Sequence, residues 1–281
     1  MIYLVFVSFV WAFSFGLIGN TLAAVPSPLV SAIRLLLAFV LFAPFFRRMP
    51  WRDAVFFVFL GGVQFGGMYL CYNESFKHLA SHQVALLTLT TPILIALLEG
   101  CRTRKVSTRL WLSVLVATVG VGIIIWHPDG FTRPSLLGLL LIQLSNLCFA
   151  FGQWAYRNRM KDAADRPAFS WMYLGAVLVT LPFAWQHRHL ATEIGTNQML
   201  ALLYLGLVAS GLCFFLWNLG ARRVTTARMA VMNDLKIPLG ILASILVFKE
   251  SPNLLRLAVG IPLLVAAIWL GGEKRLREKS D

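Results

Sequence analysis

Three polar residues stand together in a stretch that otherwise reads as membrane-spanning: Asn233, Asp234 and Lys236, within RMAVMNDLKIPLG at residues 228–240. An ionisable side chain near mid-bilayer costs about 2.5–3.5 kcal/mol on insertion scales, so it faces a water-filled cavity, pairs with another charge, or binds something. Pro238, two residues on, removes a backbone hydrogen bond and loosens the helix, which frees carbonyls beside the charges. Lys236 in such a place can hold a carboxylate. Asp234 can hold an ammonium or carry a coupling proton, and Asn233 can add a polar contact. The alternative is mutual neutralisation of Asp234 and Lys236, but residues two apart do not share a face of a straight helix. Pairing would need the Pro238 distortion.

Other polar and aromatic residues interrupt apolar runs. In GGVQFGGMYLCYNESFK, Gln64 and Tyr72 lie eight residues apart, near enough to one helix face to line one wall. Gly62 and Gly66 form a GxxxG, whose first reading is close helix packing. Glu74 sits three and four residues before Lys77 and His78, a spacing for a local ion pair; proton coupling is its second reading. Thr88 and Thr91 precede Pro92 and can bond its freed carbonyls or a ligand. Asn146, with Gln143 and Gln153, gives a polar density too high for a lipid-facing helix. Arg34 can snorkel to the interface or reach into the bundle, and we read it, with Trp11, Pro92 and Pro238, as structural or gating. His78 and His82 are four apart with a turn between them, so no metal site is expected. Cys71, Cys101, Cys148 and Cys213 show no paired spacing and are expected as free thiols.

These residues need helices to position them, and the composition supplies membrane helices. The 281 residues are 58% hydrophobic and 13% charged, with mean hydropathy +0.74, against a soluble norm of roughly 25% charged. Apolar runs long enough to cross a core of ~30 Å recur throughout. Ten spans are predicted: 2–23, 29–46, 54–76, 80–98, 110–126, 135–156, 168–185, 198–219, 226–248 and 254–271. The net charge of +13 sits in short loops, so it reports topology rather than nucleic acid. Most of the basic residues, among them Arg47, Arg102, Arg157, Arg222 and Lys274, fall on one side if both termini are cytoplasmic. The first span is too long for a signal h-region and is expected to remain as a helix.

The two halves repeat. At an offset of 145 positions, Leu60-Gly61 meets Leu205-Gly206, Gly66 meets Gly211, Tyr72-Asn73 meets Trp217-Asn218, and Lys77 meets Arg222. One position further on, Pro92 meets Pro238. Each unit, 1–130 and 131–281, then holds five spans, and an odd number inserts the second unit upside down. Inverted repeats with a polar site at their interface are a recurrent design of secondary transporters. Trp217, matched to Tyr72, becomes a candidate aromatic wall of that site.

No GxSxG, HExxH, GxxxxGK[ST] or Rossmann fingerprint occurs, so hydrolase, metalloprotease and nucleotide-driven pump lack their essential parts. The chain resembles the ten-helix EamA-type exporters of the drug/metabolite transporter superfamily along nearly its whole length. The likeness rests on Trp11 to Phe15, PLVSAIRLLLAF with Arg34, LLTLTTPILIALL with Pro92, and Phe248-Lys249-Glu250. One departure is Lys105, where an acidic residue is usual after helix four. The resemblance implies a cavity lined by helices one, three, four, six, eight and nine, and alternating access by rocking bundles. Lys236-Ile237-Pro238 is also similar to the Lys-x-Pro stretch of sugar-nucleotide and triose-phosphate translocators, whose lysine faces an anionic substrate.

The expectation is therefore an all-α integral membrane protein, multi-pass in a bacterial inner membrane, and a secondary transporter rather than an enzyme. It would export small polar metabolites, most of all amino acids or related carboxylates, with possible proton coupling through Asp234 or Glu74. The substrate site would comprise Lys236, Asp234, Asn233, Gln64, Tyr72, Thr88, Thr91, Asn146 and Trp217. The expected partners are a small-molecule metabolite and the lipid bilayer, with no nucleic acid and no cofactor, and the working unit a monomer. The alternatives are an importer or facilitator of an organic anion, a membrane transferase, and a lipid translocator.

Overall fold

The computed structural model describes residues 2–103, 133–159, 165–221 and 253–271, with isolated positions between 108 and 123 and between 236 and 249. Asn233, Asp234 and Pro238 lie outside the described residues, as do most of the predicted spans 110–126 and 226–248. Among the described residues the regular structure is all helical. Seven helices are long and apolar enough to cross a membrane: α1 Ile2–Thr21, α2 Ser27–Phe45, α3 Trp51–Ser75, α4 Ser81–Arg102, α5 Ser135–Arg159, α6 Asp165–Trp185 and α7 Thr196–Ala221. A further apolar helix, α8, spans Leu254–Gly271. Helices α5 to α8 answer to the sixth, seventh, eighth and tenth predicted spans. The chain is a multi-pass membrane protein.

In α1 both faces are apolar but not alike. Phe6, Phe9 and Phe13 are exposed, a stripe suited to lipid, while Leu4, Val7, Trp11 and Phe15 are buried against the bundle. Prolines mark the helix starts, with Pro26 and Pro50 as N-caps of α2 and α3, where a missing N–H costs nothing. In α4, Pro92 lacks the N–H that the Thr88 carbonyl would accept from in an α-helix. The chain tightens to a 3₁₀ turn over Thr88–Thr90 immediately before it.

The centre is a crossed arrangement of second and third helices from the two halves: α2 packs on α6, α3 on α6, and α2 on α7. Glycines permit it. A Cβ at Gly61 would lie 1.9 Å from the Met172 carbonyl oxygen, and one at Gly175 would lie 1.9 Å from that of Val58. The predicted GxxxG packs as expected, Gly66 meeting Val179 of α6. Both third helices widen into π turns at matched positions, Gly62–Gly67 in α3 and Tyr204–Leu212 in α7. The repeated glycines fall within or beside these turns, which re-aim the side chains that follow.

Candidate functional site

A cavity opens between these helices, with a volume of about 70 Å³. Its walls come from α1, α3, α4, α5 and α7, from Lys236, and from α2 through Arg34. The resemblance implies six of those seven contributors; α2 is the addition.

Lys236 is 8% exposed and lines the cavity. Its Nζ lies 5.1 Å from the ring centroid of Trp11 and 5.9 Å from that of Phe149, within cation–π range of both. Trp11 is fixed in turn, because its Nε1 donates to the Ala209 carbonyl in the π turn of α7 at 2.9 Å. Behind it Trp217 packs at a centroid distance of 5.2 Å, and Phe214 at 4.8 Å.

Arg34 reaches into the bundle rather than to the interface. It is 2% exposed. Its Nε donates to Ser210 Oγ at 3.2 Å, Nη1 to Asn73 Oδ1 at 3.2 Å, and Nη2 to the Tyr69 hydroxyl at 3.0 Å. The guanidinium carbon sits 4.2 Å over the Tyr69 ring. Asn73 is held by donating to Ser31 Oγ at 2.8 Å, and Ser210 shares a 2.9 Å bond with the Tyr69 hydroxyl. Helices α2, α3 and α7 are thus tied together at one buried cation.

The opposite wall is polar and uncharged. Asn146 of α5 gives its amide nitrogen to the Leu87 carbonyl at 2.9 Å and to Thr90 Oγ1 at 3.1 Å. The 3₁₀ turn before Pro92 presents that carbonyl. Thr88 and Thr91 line the cavity, and the Thr88 hydroxyl donates to the Ala85 carbonyl at 2.7 Å, back along its own helix. Tyr72 also lines it, edge-on to Phe15 and Tyr69.

Of the residues expected at the site, Lys236, Tyr72, Thr88, Thr91 and Asn146 are therefore brought together, and Trp11 and Arg34, expected as structural or gating, join them on the wall. Gln64 and Trp217 are not on the cavity wall. Gln64 lies in the π turn of α3, packed against Gly152 of α5, with neither polar atom of its amide hydrogen-bonded among the described residues. Trp217 lies one layer back, behind Trp11. Glu74 stands away from the cavity, where Lys77 at 3.7 Å, His78 at 3.8 Å and the Ser27 hydroxyl surround it. That is the local cluster its spacing predicts. Tyr69, Phe149, Ser145 and Ser14 line the cavity without having been singled out from the sequence. Tyr69 and Phe149 stand three residues from Tyr72 and Asn146, so helical spacing carried the signal.

Membrane-crossing helices around a buried, part-polar cavity suit a carrier of small molecules. The chain belongs to the EamA-like transporter family, whose model matches residues 1–126 and 136–271, within the drug/metabolite transporter superfamily. It is a transporter, not an enzyme. A probable biotin transporter of Pseudomonas aeruginosa is 38% identical over 291 residues, covering 99% of this chain and 100% of that one. Biotin transporters of Salmonella typhimurium and Escherichia coli are 33% and 32% identical over 278 residues, each covering 96% of this chain and 92% of the relative. A crystal structure with TM-score 0.66 and 17% identity, covering 95% of this chain and 94% of that one, shares the fold.

Proposed function

We propose that this protein carries biotin, as a carboxylate anion, across a bacterial inner membrane by alternating access. The observation that carries the reading is the charge of the cavity: Arg34 and Lys236 line it, and among the described residues no Asp or Glu does. A buried cation with neutral hydrogen-bond partners, as Arg34 is, suits a monoanion better than the zwitterionic amino acid expected from the sequence, whose ammonium would have to rely on Asp234. Biotin also needs an apolar slot for its thioether ring and aliphatic chain, which Trp11, Phe149, Phe214 and Met68 offer. Its ureido group needs donors and acceptors, and the polar side chains of Asn146, Ser145 and Thr91 line the same cavity.

A volume of about 70 Å³ holds only a few waters. Admitting such a ligand therefore requires the helices around it to part. The ten-helix topology, with two inverted five-helix units over 1–130 and 131–281 and both termini cytoplasmic, would supply that motion by rocking one unit on the other. The unit at work would be a monomer. Proton coupling through Asp234, and the direction of net transport, belong to the same reading.

The test is transport of labelled biotin and of an amino-acid panel in proteoliposomes, loaded inside or outside, with and without a pH gradient. Saturable biotin flux that Lys236→Ala lowers at least about tenfold, the size expected for losing one buried charge contact, supports the reading. Amino-acid flux without biotin flux overturns it.

A further inference from the structure

Around Arg34 the hydrogen-bond donors outnumber the acceptors. A guanidinium carries five N–H groups, and three are spent on Ser210, Asn73 and Tyr69. Two are left. The Ser210 and Tyr69 hydroxyls bring two protons, and the bond between them uses one, whichever way it points. Asn73 accepts from Arg34 and gives its amide to Ser31. Among the described residues, two N–H groups and a hydroxyl proton therefore face a shortage of acceptors, at a cation that borders the cavity. All three partners are neutral near pH 7, since a phenol ionises near 10. Neutral groups satisfy geometry but not charge, and a buried cation calls for an anion.

We propose that Arg34 is a substrate-binding residue, which docks the carboxylate of a small monocarboxylate through its spare N–H groups, with the surplus hydroxyl proton of the Tyr69–Ser210 pair as a third donor. A carboxylate offers about four lone-pair sites and accepts a guanidinium in bidentate fashion, so it supplies both what the donors lack and the missing charge. The sequence reading of Arg34 as structural or gating is then incomplete. The same bonds that tie α2, α3 and α7 together aim the guanidinium. Lys236 stands further along the aromatic wall of Trp11, Phe214 and Tyr69 and raises the potential of the whole cavity as a point charge. The proposal rests on the transporter reading only in taking this cavity as the substrate site; it does not require biotin.

The test pairs each carboxylate with its uncharged amide: biotin with biotinamide, hexanoate with hexanamide. Binding to purified protein is measured by calorimetry for wild type, Arg34→Gln, Arg34→Lys and Tyr69→Phe. Wild type is expected to prefer each carboxylate it binds by about tenfold or more, the scale of a charge-assisted bidentate contact. Arg34→Gln should bring that preference to within about twofold, Arg34→Lys should keep only part of it, and Tyr69→Phe should lower carboxylate binding about threefold and amide binding by less, since the hydroxyl bond to a charged acceptor is the stronger one. Should Arg34→Gln fail to fold, Arg34→Lys and Tyr69→Phe, which keep a cation and the packing, make the same comparison. Arg34-dependent binding of hexanoate without biotin binding leaves the proposal standing and removes biotin. Wild-type preference retained in the Arg34 variants, or no carboxylate preference in wild type, overturns the proposal.

Discussion

Arg34 and Lys236 border the same cavity, yet their surroundings differ in kind. Arg34 donates directed hydrogen bonds to two other helices, α3 and α7, and Lys236 lies against the faces of two aromatic rings. A guanidinium is a planar fork with fixed donor directions, so its position is set to within hydrogen-bond geometry. An ammonium over ring faces is a point charge attracted to a broad surface, and it can shift while keeping most of its interaction energy. The difference teaches a division of labour: one cation fixes where an anion sits, and the other makes the cavity attractive to anions while the helices move.

Substitutions can break this contrast. The largest effect is expected for Arg34→Met, which removes the anion contact and leaves Ser210, Tyr69 and Asn73 without their shared donor. Proteoliposome flux should fall by about a hundredfold or more, as for a buried charged hydrogen-bonding group removed from its network. Lys236→Met should cost about tenfold to a hundredfold in flux, and Lys236→Arg much less, because a second cation type can still lie over Trp11 and Phe149. Equal damage from Arg34→Lys and Lys236→Arg would erase the contrast. Trp11→Leu takes away one ring and the bond to the Ala209 carbonyl, and should raise the KM about threefold to tenfold with a smaller change in maximal rate. Glu74→Gln sharpens the picture from the other side. With its carboxylate 36% exposed beside Lys77 and His78, and away from the cavity, it should change flux less than about twofold, as surface ion pairs do. A flux that loses its pH dependence in Glu74→Gln would instead give Glu74 the coupling role.

The helices were legible because a membrane demands about 20 apolar residues and the chain provides them in clear runs. The predicted 2–23 and 198–219 fall within a few residues of Ile2–Thr21 and Thr196–Ala221. The lining of the candidate site was legible where a polar or aromatic residue interrupted a run and faced the cavity, as at Tyr72, Thr88, Asn146 and Lys236. The same signal also singled out Gln64, and the internal repeat singled out Trp217; both face elsewhere. Rotation about a helix axis decides that, and the π turn over Gly62–Gly67 changes the angle between Gln64 and Tyr72 from that of a straight helix. For Arg34 the charge was plain but its reach was not. A side chain that long can go either to the interface or inward, and Ser210, which lies 176 positions away in sequence, helps to decide.

The central claim, that an anion is held between these two cations, is tested most directly by the structure of the purified protein with biotin bound, determined by electron cryomicroscopy. The account predicts ligand density in this cavity, its carboxylate within hydrogen-bond distance of Arg34 and its ring body against Trp11 and Phe149. Density outside the cavity, or a carboxylate turned away from both Arg34 and Lys236, would contradict it.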